Sequence, residues 1–210
     1  MTARKTRKAA RPLTKADAAV AKASARHRDS AVVAAVSRLS EVGDQPQLRT
    51  ISGGFIVAGL LARRRDYLRA GVRMLLAHEL ATGIKNFIKA RVDRTRPRAA
   101  SGRRQSQARL GKRTEKAHTS FPSGHTAGAV AVAEAYAREF PEHRGRARLA
   151  ATAVGLAQIP RCAHYPTDVG AGAVIGLVAE AAVAKLWSTL ERVQPGSIRR
   201  EAPLRPPPRA

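Results

Sequence analysis

Long apolar segments rich in Ala, Leu, Val and Ile, separated by short stretches with Pro and Gly, constrain this chain most strongly. The alternation of β-branched residues that is typical of strands is scarce, whereas Ala and Leu are strong helix formers. Pro and Gly interrupt helices, so each break separates two elements. The pattern predicts an all-α fold, a bundle of about six helices. The predicted helices cover residues 30–42, 47–63, 68–90, 123–139, 146–160 and 166–188.

The two ends of the chain differ in composition from this apolar part. Residues 1–28 alternate Lys and Arg with Ala, and residues 191–210 are rich in Pro and Arg. Such sequences contain too little apolar surface to build a core and are typical of disordered tails. We therefore expect one helical domain at residues 29–190, which is large enough to bury a sizeable core.

The charge balance points to an anionic partner. The chain has 39 Lys and Arg against 15 Asp and Glu, a formal net charge of +24. Nucleic acid, a phospholipid surface and a phosphorylated substrate all fit this charge. Aromatic residues make up only 4% of the chain, which leaves few platforms for base stacking. We expect no nucleic-acid partner, although binding to a phosphate backbone alone stays open.

Hydropathy does not decide whether the bundle crosses a membrane. Only the segment 169–187 approaches the ~20 apolar residues that span a bilayer, and it contains Glu180 and Lys185. The mean hydropathy of −0.29 is low, and charges inside a membrane are costly. Both a multi-pass membrane protein and a bundle at or off the membrane remain open at this point.

Three polar stretches fall at the ends of predicted helices, namely Lys89 to Pro97, Ser120 to His125, and His164 to Asp168. Helices joined by short connections are usually antiparallel neighbours, so these three stretches should meet at one end of the bundle. Together they contain fixed cations, a helix N-terminus, two imidazoles and a carboxylate. This combination predicts a site that handles an anion.

The basic and small residues of these stretches are candidates for phosphate binding. Arg96 offers a planar fork for phosphate oxygens and Lys89 offers a point charge. Ser123 and Gly124 begin a helix, where free backbone N–H groups and the helix dipole favour an anion. The simpler alternatives are solvated basic residues for the first pair and an ordinary N-cap for Ser123.

The histidines and the carboxylate suggest covalent catalysis. His125 lies in the first turn of its helix and could protonate a leaving oxygen as a general acid. His164 and Asp168 are four residues apart, so a helix that includes both places them on one face. The carboxylate could then hold one ring nitrogen while the other attacks phosphorus, which predicts a phosphohistidine. A surface histidine and a simple helix-start ion pair are the alternatives.

The three stretches resemble, in order and spacing, the three-part signature of the type 2 phosphatidic acid phosphatase superfamily. The resemblance covers about residues 50–188. It implies a helical bundle, often with several membrane-crossing helices, and hydrolysis of phosphate monoesters or pyrophosphates without metal or other cofactor. It also implies phosphate binding by Lys89, Arg96, Ser123 and Gly124, acid catalysis by His125, and attack by His164 with Asp168 as its partner.

One position departs from this family pattern. The third motif of the family carries an arginine six residues before the histidine, and here that residue is Gln158. Glutamine can donate hydrogen bonds to a phosphoryl oxygen, but a lost charge-assisted bond costs roughly 1.5–3 kcal/mol. Arg161, three residues from His164, is a candidate to compensate. A slow enzyme or an inactive relative would follow if nothing compensates.

The resemblance and the charge together predict a phosphatase that acts on an anionic phospholipid or an isoprenoid phosphate, such as phosphatidic acid or a polyprenyl pyrophosphate. We expect a multi-pass protein of the inner membrane with its active site on the outer face. Basic turns at the end opposite the site favour this orientation, although the site end is basic too. The alternatives are a soluble or peripheral acid phosphatase of the same superfamily, related to vanadium haloperoxidases, and a non-catalytic relative that binds nucleic acid or a membrane surface.

Overall fold

The computed structural model describes residues 15–100 and 107–193, and nearly all of its regular structure is helical. The first helix, α1, covers the described residues 15–25. The others are α2 (Ala31–Ser40), α3 (Gln45–Leu61), α4 (Arg65–Lys89), α5 (Gly124–Glu139), α6 (Arg144–Ala157) and α7 (Pro166–Val193). The predicted all-α bundle is confirmed.

Helix α1 lies within the range that the sequence predicts as a disordered tail. Its alternation of Ala with charged residues suits a helix as well as a solvated coil, and only its docking onto the bundle distinguishes the two. Asp17 on this helix is only 2% exposed. The folded part therefore begins earlier than predicted, while residues 1–14 and 194–210 lie outside the described residues.

Helix α5 is central and packs against α4, α6 and α7. Six of its alanines are buried, on more than one face, and such small side chains allow neighbouring helices to approach closely. A Cβ atom at Gly172 of α7 would lie 2.5 Å from the Ser123 carbonyl oxygen, and one at Gly176 would lie 2.6 Å from that of Ala127. These glycines are therefore required for the close contact that brings the start of α7 to the start of α5.

The end of the bundle opposite the three motifs contains ion pairs that are largely buried, apart from the half-exposed Arg138. Arg73 Nη1 donates to Glu139 Oε1 at 3.0 Å, and Arg138 donates to both carboxylate oxygens of Glu180. Arg73 Nη2 also lies 3.8 Å from Glu180 Oε1. The charge of Glu180, which counts against α7 as a membrane span, is thus compensated inside the bundle. Within the described part of the chain, α7 is the one helix long and apolar enough to cross a membrane.

Two connections shape the end of the bundle where the motifs meet. After α4, strand β1 (Val92–Asp93) pairs antiparallel with β2 (Arg109–Leu110), with Val92 opposite Leu110. The backbone of Arg94 then bonds to the stretch that leads into α5, since its N–H donates to the His118 carbonyl at 2.8 Å and its carbonyl accepts from Ser120 N at 2.9 Å. The α6–α7 connection, residues 158–165, lies at the same end of the bundle. Strands of two residues are too short for the sequence pattern to predict.

Candidate active site

Arg96 and His164 meet in the buried interior of the site, as the convergence of the motifs predicts. The Arg96 Nη1 atom lies 3.4 Å from His164 Nε2 and donates to the Ala163 carbonyl at 3.2 Å. The Arg96 Nε atom donates to the Lys116 carbonyl at 2.8 Å. Arg96 therefore links the α4–α5 connection to the loop that carries His164.

The environment of His164 keeps its imidazole neutral. Its side chain is 2% exposed, and the backbone N–H groups of Ala163 and His164 both donate to the Gln158 carbonyl, at 3.1 and 3.2 Å. Burial lowers the pKa of His164 to about 4, although the nearby Asp168 carboxylate opposes this shift. An imidazole with this pKa is unprotonated at neutral pH, so its Nε2 lone pair is available for attack.

Asp168 lies beside His164 but is held by other donors. Its Oδ2 accepts from Ser120 Oγ at 2.6 Å and from Tyr165 N at 2.9 Å, and its Oδ1 accepts from Arg94 Nη1 at 2.5 Å. The His164 Nδ1 atom is 3.7 Å from Asp168 Oδ2, beyond hydrogen-bond distance, and has no hydrogen-bond partner among the described residues. The structure therefore brings the predicted pair together without the direct bond.

The cations and the start of α5 form one side of the site. Lys89, the last residue of α4, donates from Nζ to the Thr119 carbonyl at 2.5 Å. Ser123 is the N-cap of α5, where its Oγ accepts from Thr126 Oγ1 at 2.9 Å and from Thr126 N at 3.4 Å. Gly124 follows as the first residue of the helix. The N-cap reading of Ser123 thus agrees with the structure, and phosphate binding by these residues remains a prediction.

Lys85 is a cation near this site that the sequence analysis missed. It is 6% exposed and makes no ion pair within 4 Å among the residues that the structure describes. A Cβ atom at Gly124 would lie 3.0 Å from Lys85 Cδ and 3.6 Å from its Nζ. Lys85 precedes Lys89 by four residues, so the two share a face of α4. That spacing was the signal that could have found it.

His125 is oriented by a carboxylate from a distant part of the chain. Its Nε2 lies 2.6 Å from Asp44 Oδ1, and its side chain is 22% exposed. Burial lowers the pKa of His125, and the charge of Asp44 opposes that shift. Asp44, which the sequence analysis missed, is the N-cap residue of α3, yet its side chain makes no capping hydrogen bond there.

Gln158 is held within its own helix, and phosphate binding by its amide remains a prediction. Its side chain is fully buried, and its Nε2 donates to the Val154 carbonyl of its own helix at 3.0 Å. The prediction that its amide reaches a phosphoryl oxygen finds no support in these contacts. Its backbone carbonyl instead holds the His164 loop.

Arg161 lies on the α6–α7 connection, at the same end of the bundle as the motifs. Its Nη1 donates to Ser40 Oγ at 3.0 Å, at the end of α2. Burial, together with the charges of Arg98 and Arg161, lowers the pKa of Arg96 to about 10, and the charge of Asp168 opposes this shift. The pKa of His125 is lowered mainly by burial, and the charge of Arg161 lowers it as well, against the opposing charge of Asp44. The charge of Arg161 therefore acts on both groups, and a role for this residue in phosphate binding remains a prediction.

Comparison with known proteins identifies the family. A model of the PAP2 superfamily matches residues 70–192, which is more than half of the chain. The chain belongs to the PAP2 superfamily. This membership confirms the resemblance to type 2 phosphatidic acid phosphatases and the predicted enzyme class, a phosphatase. The PAP2 match includes the three motifs but neither Asp44 nor Asp17.

Two solved structures share the fold, and the first of them is described as PAP2 type. One is the transmembrane phosphatidylglycerolphosphate phosphatase of Bacillus subtilis, with a TM-score of 0.60 and 20% identity over 86% of this chain and 89% of that chain. The other is LpxE of Aquifex aeolicus, with a TM-score of 0.57 and 20% identity over 79% of this chain and 92% of that chain. A comparison with curated protein sequences gives no match.

Proposed function

We propose that this PAP2 protein hydrolyses a lipid phosphate or pyrophosphate through a phosphohistidine at His164, without a metal ion. The observation that carries the proposal is the buried imidazole of His164, whose Nε2 lies 3.4 Å from Arg96 Nη1. That arrangement places a nucleophilic nitrogen beside a group suited to bind phosphate oxygens. Among the described residues, no group of three or more His, Cys, Asp and Glu side chains could hold a metal ion.

The reaction has two steps. Phosphate oxygens bind to Arg96, Lys89 and the free N–H groups at the start of α5, where the helix dipole favours an anion. His164 Nε2 then forms a bond to phosphorus while the bond to the leaving oxygen breaks, and His125 gives that oxygen its proton. Water next attacks the phosphohistidine with His125 as base, so His164 is restored and inorganic phosphate leaves.

Apolar side chains on the outside of the bundle favour a lipid substrate. Large hydrophobic residues are exposed on several helices, for example Leu39 at 75%, Leu61 at 82% and Val174 at 59%. Helix α7 is a candidate membrane span, and only 33% of its most apolar stretch is buried inside the bundle. Exposed apolar area on this scale needs a cover, and a bilayer supplies one.

The proposed location is the inner membrane, with several helices crossing it and the site end on the outer face. The basic turns at residues 63–65 and 144–148 lie at the end opposite the site and would face the cytoplasm. Of the two solved structures with this fold, the Bacillus subtilis phosphatase is described as transmembrane, which supports a membrane location. In this arrangement His125, His164 and the loop residues lie outside the hydrocarbon region.

Phosphate release in the presence of EDTA tests the proposal. Detergent-purified protein is given phosphatidic acid, phosphatidylglycerol phosphate, a polyprenyl pyrophosphate and the soluble ester p-nitrophenyl phosphate. We expect release from at least one lipid at a higher kcat/KM than from the soluble ester, and inhibition by vanadate. A requirement for divalent metal contradicts the mechanism, and equal use of the soluble ester favours the soluble acid phosphatase. Salt-dependent DNA binding without any phosphate release favours the non-catalytic relative.

Arg161→Ala tests whether Arg161 replaces the cation that Gln158 lacks. Loss of one charge-assisted bond to the phosphoryl group costs roughly 1.5–3 kcal/mol, so we expect kcat/KM to fall about 10- to 150-fold. Arg161→Lys keeps the charge and should lose less. Arg146→Ala, which removes an exposed arginine from the far end of α6, is the matched control. If Arg161→Ala matches the parent protein in kcat/KM, Arg161 is not part of the phosphate site.

A further inference from the structure

Helix α1 contributes a buried carboxylate to the active-site end of the bundle. Asp17 is 2% exposed, and its Oδ2 accepts from Arg94 Nη2 at 2.6 Å. Arg94, whose side chain is 3% exposed, donates in turn from Nη1 to Asp168 Oδ1 at 2.5 Å. A continuous line of buried charges therefore runs from Asp17 through Arg94 to the carboxylate beside His164.

Asp17 also holds the backbone between His164 and Asp168 of the third motif. Thr167 donates to it twice, from its backbone N at 3.2 Å and from its Oγ1 at 2.5 Å. Thr167 Oγ1 also accepts from Arg94 Nη1 at 2.7 Å. Thr167 immediately precedes Asp168, so these bonds limit how the Asp168 carboxylate can turn relative to His164.

The charge balance of this cluster affects Asp168 directly. The two carboxylates share one guanidinium, so the Asp17–Arg94–Asp168 cluster keeps a net negative charge next to His164. Attack by His164 on phosphorus leaves positive charge on the ring, which a nearby carboxylate stabilises. Without the charge of Asp17, Asp168 would balance a larger share of the positive charge of Arg94 and would stabilise the ring less.

We propose that Asp17 is a positioning residue for His164, which acts through Arg94 and Thr167 on the Asp168 carboxylate. The proposal rests on the phosphatase function proposed above. It assigns to the N-terminal helix, which lies outside the part matched by the family, a role in the chemical step. Asp17 contacts none of the predicted phosphate-binding residues in the described contacts, so its effect should fall on kcat and not on phosphate binding.

The test compares Asp17→Asn with the parent protein and with Asp29→Asn. Asp29 is an exposed aspartate just after α1, and its substitution is the matched control. A small displacement of a reacting group can cost about 100-fold, so we expect kcat to fall about 10- to 100-fold in Asp17→Asn. We expect KM and the inhibition constant of inorganic phosphate to stay within about threefold of the parent, because the phosphate site is intact.

Thr167→Val supplies a second variant that keeps every charge. It removes the Thr167 Oγ1 bonds to Asp17 and Arg94. We expect a several-fold lower kcat with unchanged phosphate inhibition. If Asp17→Asn does not fold, this variant alone tests the positioning role of Asp17. A parent-like kcat in the folded variants overturns the inference, and so does an equal loss of kcat and phosphate inhibition. If the parent protein itself releases no phosphate from any substrate, the proposed function fails instead.

Discussion

His164→Ala is expected to lower kcat by about 10⁴-fold or more, because no other described side chain offers a neutral buried imidazole beside Arg96. Loss of the nucleophile removes the covalent route and leaves only the binding contribution of the phosphate site. The same variant should trap no phosphate on the protein. Mixing with labelled substrate for milliseconds, followed by an alkaline quench that preserves phosphohistidine, measures both quantities on one sample.

His27→Ala is the control for this substitution, because His27 is an exposed histidine outside the site. It should retain parental kcat and trapping. Label that remains on His164→Ala would place the covalent intermediate on another residue. Turnover at the parental rate with no label in either protein would indicate direct attack by water.

His125→Gln is expected to have an effect that depends on the leaving group. A lipid alkoxide must be protonated as it leaves, and general acid catalysis contributes about 10²- to 10⁴-fold. Release of p-nitrophenolate, a much weaker base, requires little help. We therefore expect kcat on a lipid phosphate to fall at least about 100-fold, and kcat on p-nitrophenyl phosphate to fall less than about 10-fold.

Parallel assays of the two substrates on parent and variant measure this difference. His27→Gln again provides the control for the loss of an imidazole. Equal losses on the two substrates would show that His125 does not protonate the leaving oxygen. The bond between His125 Nε2 and Asp44 Oδ1 predicts that Asp44→Asn reproduces the same pattern to a smaller degree.

The parts of the site that could be predicted are those governed by short-range rules. Helix ends follow from Pro, Gly and capping residues, and short connections make neighbouring helices antiparallel. These rules were enough to expect that the stretches containing Lys89, Ser123 and His164 meet at one end of the bundle. The structure places them there, with Ser123 N donating to the Asp168 carbonyl at 3.0 Å.

The residues that were missed have local explanations that conceal their tertiary contacts. Asp17 occurs in a basic, alanine-rich segment that is typical of a tail, and Asp44 occupies a position usual for a helix N-cap. Lys85 is one of 39 basic residues. For each of them, burial and the identity of the partner depend on how distant elements dock, which the local sequence pattern does not contain.

The contacts of the Gln158 side chain also could not be predicted from the sequence. The sequence alone reveals that a charge is absent at this position, and it leaves open whether the amide contacts a phosphate. The direction of the side chain follows from its place at the end of α6, where its Nε2 satisfies the Val154 carbonyl. A buried polar group left unpaired costs about 1–3 kcal/mol, and this bond removes that cost for Gln158 Nε2 and the Val154 carbonyl.

By itself the sequence determined the helical class, the end of the bundle that carries the site, and the residue types that could attack, protonate and bind phosphate. Spacing along a chain is sufficient for these because helix periodicity and breakers act over a few residues. Only the tertiary structure decided which charges face each other. Arg94 pairs with Asp17 across 77 residues of sequence and with Asp168 across 74, and such pairs form only where folding buries both partners and brings them within hydrogen-bond distance.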